Sequence, residues 1–225
     1  MTLVLVAHGT RDPAGAVVVE EIASLVRARL GGVPVHVAYA DVRQPDVTSV
    51  LSSVTGPAVV VPAFLAAGYH VRVDIPAQVA ASGHPDTAVT APIGPALVPA
   101  LLSRLAEAGR RPGDPVVLAA AGSSDPRALA DVRAVADALS RRVGPVTIGY
   151  AATATPRIAD VVARARAETR GRVAVASWLL APGLFHRAVA ASGADVVAAP
   201  IGAHLRVVEA VLLRYYEARC FQGAA

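Results

Sequence analysis

The sequence predicts an α/β protein of two tandem, similar subdomains, each a parallel four-stranded sheet flanked by helices, with a ligand cleft between them. Short β-branched runs alternate with longer Ala/Leu/Arg segments along the chain, the pattern of parallel sheets covered on both faces. The chain also repeats itself. Leu3-Val-Leu-Val-Ala-His8-Gly-Thr-Arg-Asp-Pro13 returns as Val116-Val-Leu-Ala-Ala-Ala121-Gly-Ser-Ser-Asp-Pro126, and Val35-His-Val-Ala-Tyr-Ala-Asp41-Val-Arg-Gln-Pro45 returns as Val146-Thr-Ile-Gly-Tyr-Ala-Ala152-Thr-Ala-Thr-Pro156. A Val-rich run around Val61 recurs around Val175, and Ala-Pro-Ile-Gly stands at both 91–94 and 199–202. The blocks keep one order at an offset of 108 to 114 residues. Solenoid units run about 20 to 50 residues, so this is a duplicated subdomain. The turn-rich stretch Gly109-Arg-Arg-Pro-Gly-Asp-Pro115 marks the boundary, giving halves at 1–110 and 115–225.

Strands are expected in the first half at 3–7, 35–39, 58–62 and 88–90, each followed by a helical pattern. The first helix, over 13–30, places Val18, Ile22, Leu25, Val26 and Leu30 on one face, with Arg27 and Arg29 elsewhere. In the second half the strands fall at 116–120, 146–150, 173–177 and 196–198. Pro13 and Pro126 suit the first turn of a helix, where a missing N–H costs nothing. Gly9 and Gly122 occur in both halves and read as backbone residues needing a permissive φ.

Composition excludes several classes. No run reaches the roughly 18 apolar residues of a membrane span, and residues 1–7 lack the basic segment of a signal peptide. A cytoplasmic protein with no membrane partner is expected. One cysteine, Cys220, cannot form an internal disulfide or a four-cysteine metal site. The net charge is +4 and all 21 basic residues are arginine. The lack of lysine and asparagine reads first as GC-rich coding bias, yet arginine forks also suit a polycarboxylate small molecule. Nucleic acid is disfavoured, because the arginines are spread through both halves with few aromatics among them.

The ionisable residues differ between the halves. In open parallel sheets ligands bind beyond the carboxyl ends of the strands. His8 follows the first strand, Asp41 the second, and His70 lies eight residues beyond the third, at a helix start. The second half makes the first two turns with Ala121 and Ala152, so the scaffold requires neither His8 nor Asp41. The competing readings are structural: His8 capping a carbonyl of its turn, His70 facing solvent, Asp41 capping the helix after Pro45. The counterpart of His70 is Phe185 or His186, depending on the alignment, which leaves His186 ambiguous. His36, His84 and His204 read as surface residues.

Two imidazoles and a carboxylate suit a borderline divalent metal such as Fe, Co, Ni or Zn. The histidine pair of a zinc protease, a Gly-x-Ser-x-Gly elbow, a Walker loop and a GxGxxG fingerprint are all absent.

At these residues the chain resembles the sirohydrochlorin chelatase family, the CbiX-type or class II chelatases, in its two-domain form. The likeness lies in His8-Gly-Thr-Arg-Asp-Pro, Asp41 with Gln44-Pro45, Val-x-Pro-x-Phe-Leu-x-x-Gly-x-His70 and the paired Ala-Pro-Ile-Gly segments. The resemblance implies insertion of Fe²⁺ or Co²⁺ into sirohydrochlorin, for sirohaem or cobalamin synthesis, with the metal as substrate and no tightly bound cofactor. It implies that His8 and His70 hold the metal or take up protons. Many members carry a glutamate after the second strand, where this chain has Asp41, expected to orient an imidazole or relay a proton. Some relatives place ligands in the C-terminal half, where this chain has His186 and His204. A tetrapyrrole polycarboxylate would then meet Arg11, Arg43, Arg72 and Arg187, with Gly9, Thr10 and His186 as further contacts. The second half would form a wall or lid, and duplication within one chain favours a monomer. A non-catalytic tetrapyrrole or metal carrier using the same histidines is the alternative.

Overall fold

The computed structural model describes residues 1–169 and 171–222, so the last three residues of the second half, 223–225, lie outside it. Each repeat builds one parallel sheet. In chain order the first runs β1 (Thr2–Ala7), α1 (Pro13–Leu30), β2 (Val35–Tyr39), α2 (Val47–Ser53), β3 (Ala58–Pro62), a wide π-helical turn (His70–Asp74), α3 (Ile75–Ser82), β4 (Thr87–Val89) and α4 (Val98–Glu107). The second runs β5 (Val116–Ala120), α5 (Pro126–Val143), β6 (Val146–Tyr150), α6 (Ile158–Glu168), β7 (Ala174–Trp178), α7 (Leu184–Ala190), β8 (Val196–Val197) and α8 (Leu205–Gln222). Strand orders are β2-β1-β3-β4 and β6-β5-β7-β8.

All six residues of β1 are buried, as expected of a central strand covered on both faces. Val4 and Val6 join Ala38, Val47, Leu51, Val60 and Ile75 in one core cluster. Side chains alternate along a strand, so Leu3 and Leu5 serve the opposite face. α1 buries Gly15, Val19, Ile22, Ala23, Val26 and Leu30. This corrects the expected stripe by part of a turn: Leu25 is exposed and Val18 only half-buried. Asp12 caps α1 by accepting from the Ala14 N–H, and Asp125 does the same for α5 at Arg127. Proline opens both helices, as their sequences predict.

The compact units differ from the sequence repeats. Among the described residues one comprises 1–94 with 203–222, the other the rest from 95 to 202. The turn-rich 109–115 segment therefore separates the repeats in sequence without separating the packed bodies. The reason is the last helix of each repeat. α4 packs on β7 and α5, and Arg104 donates from Nε and Nη2 to the Ile201 carbonyl at 3.0 and 2.8 Å. α8 packs on β3 and α1, where Arg214 donates to the Pro92 carbonyl and the Tyr215 hydroxyl to the Met1 carbonyl.

Candidate functional site

The strand order decides where the first unit can hold a ligand. The chain leaves β1 toward β2, then returns to place β3 on the other side of β1 and β4 beyond it. The connections diverge beyond the carboxyl ends of β1 and β3, the topological switch point of such sheets. His8 follows β1, and His70 opens the π-helical turn after β3.

The structure brings these two imidazoles together, edge to face, with ring centroids 4.4 Å apart and planes at 77°. Phe64 backs His8 at 6.1 Å and packs on the core cluster below. Tyr69 stands beside His70 at 6.2 Å and is 60% exposed. His8 Nδ1 donates to the Gly9 carbonyl at 3.0 Å, so the carbonyl contact weighed from sequence is present. A carbonyl can only accept, which places the proton on Nδ1 and leaves the Nε2 lone pair available. His70 Nδ1 lies 2.6 Å from Asp74 Oδ2.

The turn carrying His8 is held from behind by the strand-two loop. Gly9 has φ +95°, and a Cβ there would come within 2.1 Å of the Asp41 carbonyl oxygen. The Asp41 N–H donates to the His8 carbonyl at 3.0 Å, and Arg43 Nη1 to the Thr10 carbonyl at 3.1 Å. The Arg43 guanidinium also lies over the Tyr39 ring, 5.8 Å from its centroid. Burial pushes the Tyr39 phenol up, Glu20 adds to that, and Arg43 partly offsets it. Gln78, on α3, ties the strand-two loop to its own helix. Its side chain donates to the Ala40 carbonyl at 2.8 Å and accepts from the Val47 N–H at 3.0 Å.

Several residues singled out from sequence are engaged in holding the scaffold. The Asp41 carboxylate accepts from the Val42 N–H at 2.7 Å, while Gly9 and Asp74 take the imidazole contacts expected of it. Nor does it cap the helix after Pro45, since Asp46 caps α2 by accepting from Ser49. Arg43 points into the turn, whereas Arg11 is exposed and Arg72 half-buried. The Thr10 hydroxyl accepts from the Asp12 N–H, as Ser123 does from Asp125. In the second unit His186 hydrogen-bonds the Ala198 carbonyl, which also accepts from the Ser177 hydroxyl at 2.6 Å. Burial pulls the His186 pKa down, and its Nε2 is buried without a hydrogen-bond partner. Its neighbour Arg187 is exposed.

Sheet register resolves the second-half alignment. Leu3 pairs with Val59, and the equivalent Val116 pairs with Ala174. Counting forward from each partner matches Gly68 with Gly183 and His70 with Phe185; past them the π-helical turn adds a residue that α7 lacks, and buried Val189 answers to buried Ile75. The second repeat thus carries Ala121, Ala152 and Phe185 where the first carries His8, Asp41 and His70, and its α7 has no carboxylate to match Asp74. Asp74 was not singled out from sequence. Its signal was the four-residue spacing from His70 at the start of a helix.

Among the described residues no group of three or more His, Cys, Asp or Glu side chains is placed to hold a metal ion. These features define a duplicated parallel α/β protein with two histidines paired at the switch point of its first repeat. The chain belongs to the CbiX family, whose model matches residues 2–108 and again 115–218.

Solved structures share the fold over nearly the full length. SirB from Bacillus subtilis with Fe³⁺ is 22% identical, with a TM-score of 0.80 over 96% of this chain and 95% of that one. The sirohydrochlorin chelatase SirB from Bacillus subtilis subspecies spizizenii, in complex with cobalt, is 23% identical, with a TM-score of 0.77 over 96% and 95%. CbiX, described as the terminal enzyme for biosynthesis of siroheme in denitrifying bacteria, is 23% identical, with a TM-score of 0.76 over 97% and 99%. No curated protein matches the sequence.

Proposed function

We propose that this chain inserts a divalent metal, Fe²⁺ or Co²⁺, into sirohydrochlorin. The observation that carries this reading is the paired imidazoles of His8 and His70, 4.4 Å apart, each with Nδ1 engaged. Family membership supports it, as do the neighbours of like fold described as binding Fe³⁺ or cobalt and as a sirohydrochlorin chelatase. Insertion strips water from the ion, forms bonds from the pyrrole nitrogens to the metal and releases two pyrrole protons. Neutral imidazole can take an ion of this class in transit, and it can also accept a proton near neutral pH. A site of two histidines suits a metal that must leave, because the remaining coordination positions stay open to the macrocycle.

His8 and His70 are assigned to hold the ion or take up the pyrrole protons. Exposed Tyr69 and Val73 beside His70, and Val42 in the strand-two loop, offer apolar ground for the ring face. Arg11 and Arg72 are assigned to its carboxylates, while Arg43, Gly9 and Thr10 keep the turn in shape. Asp41 acts through the backbone contact its N–H makes with His8.

The test is an anaerobic, multiple-turnover absorbance assay with sirohydrochlorin and each metal. His8→Ala and His70→Ala should each abolish insertion with unfolding midpoints unchanged, because Ala121 and Phe185 stand at the equivalent places. Wild-type rates in His8→Ala would sink the assignment. Stoichiometric binding without turnover would identify a carrier instead.

A further inference from the structure

We propose that Asp74 is a positioning residue of this site. By accepting the Nδ1 proton of His70 it fixes the tautomer that keeps the Nε2 lone pair free, and it makes His70 the stronger of two unequal imidazole donors. The inference rests on the metal-insertion reading.

The contact is short and charge-assisted, His70 Nδ1 to Asp74 Oδ2 at 2.6 Å. Both side chains are about two-thirds shielded, at 31% and 28% exposure, so water screens them less than an open surface pair. The backbone is shaped for the contact. His70 opens the π-helical turn, whose carbonyl accepts from the Ile75 N–H. Such wide turns are rare and occur frequently at functional sites.

A helix-capping role does not account for the carboxylate. Asp74 occupies the residue before α3, yet its side chain makes no capping hydrogen bond. The fold does not require it either, since α7 in the second repeat carries no carboxylate and forms without the wide turn. In that repeat Phe185 stands in place of the histidine and the helix has no carboxylate, as expected if the two side chains form one device.

The partners of the two imidazoles differ in charge. His8 gives its Nδ1 proton to a neutral carbonyl, and His70 gives its own to a carboxylate. A carboxylate behind a ligating imidazole locks its tautomer and orientation, and removing such a partner typically costs about 10–100-fold in metal affinity. Asp74 therefore acts on the metal's hold and leaves the macrocycle's hold untouched.

The experiment compares Asp74→Val, Asp74→Asn and Asp74→Glu in the full chain. Asp74→Val removes the carboxylate with little change of volume, and chemical unfolding checks that it is folded. Its KM for Co²⁺ should rise about 10–100-fold, with the KM for sirohydrochlorin unchanged. The ¹⁵N ring signals of His70 should move from one tautomer to a mixture. Asp74→Asn, which still offers an accepting oxygen, should recover part of the loss. A wild-type KM for Co²⁺ in folded Asp74→Val, or unchanged ring signals, would overturn the proposal. Should the wild-type protein bind Co²⁺ and insert none, the proposed function fails. The equilibrium Co²⁺ affinities and ring signals of the same variants then still decide the role of Asp74.

Discussion

Replacing Gly9 by alanine tests whether the turn behind His8 sets the geometry of the site. Two costs can be worked from the structure. The residue sits at φ +95°, where a side chain is strained by about 1–3 kcal/mol. The added Cβ would also lie 2.1 Å from the Asp41 carbonyl oxygen. An unstrained carbon to oxygen contact needs about 3.3 Å, so the β1 and β2 loops must part by roughly an ångström. That movement endangers the Asp41 N–H to His8 carbonyl bond, whose net contribution is about 1 kcal/mol. Together the loss is about 2–4 kcal/mol, less than the roughly 5–15 kcal/mol of a typical domain, so the variant remains folded. Gly122→Ala is the control, with φ +96° and a Cβ 2.3 Å from the Ala152 carbonyl oxygen. Urea unfolding should show similar losses in the two variants. Under conditions where both are folded, only Gly9→Ala should lose insertion rate, because its turn carries His8 and the other carries Ala121. A Gly9→Ala protein as stable as wild type would refute the reasoning, as would equal activities in the two variants.

Arg11→Ala combined with Arg72→Ala should raise the KM for the polycarboxylate substrate and flatten its salt dependence; insensitivity to both salt and substitution would remove these arginines from the site. His186 predicts a pH effect on stability. Burial holds its pKa below the ordinary 6.5, so the unfolded chain binds the proton more readily than the native one. Its contribution is therefore complete above about 6.5 and is lost as pH falls below that. His186→Gln should remove this component, and parallel stability profiles for variant and wild type would contradict it. Ile22→Ala, at a fully buried position of α1, should cost about 2–5 kcal/mol in denaturant unfolding without altering the KM for either substrate.

The strands were legible because each is a short β-branched run and because the repeat supplies every prediction twice. Ranges for β2, β3, β5 and β6 agree at both ends, and the others shift by a residue at one or both ends. The pairing of His8 with His70 was legible from topology, since both follow strands that flank the switch point. Asp74 was not. A four-residue acid and base spacing occurs on many solvated helices, and nothing local announces the π-helical turn that gives this one its contact. Asp41 drew attention because its counterpart is alanine, but that comparison is blind to where a carboxylate points. The interchange of α4 and α8 was hidden for a related reason. An apolar stripe shows that a helix will be covered, whereas the sheet that covers it is chosen by non-local packing.

That interchange bears on why the repeat lacking this histidine pair persists. A chain stopped near residue 110 would keep β1 to β4 but lack α8, leaving bare the side of β3 that α8 covers and the main-chain groups that Arg214 and Tyr215 satisfy. The second repeat alone would lack α4 in the same way. Each copy thus became an obligate tenant of the other. Drift could erase the histidines of one copy at no structural loss, but neither copy could be discarded afterwards.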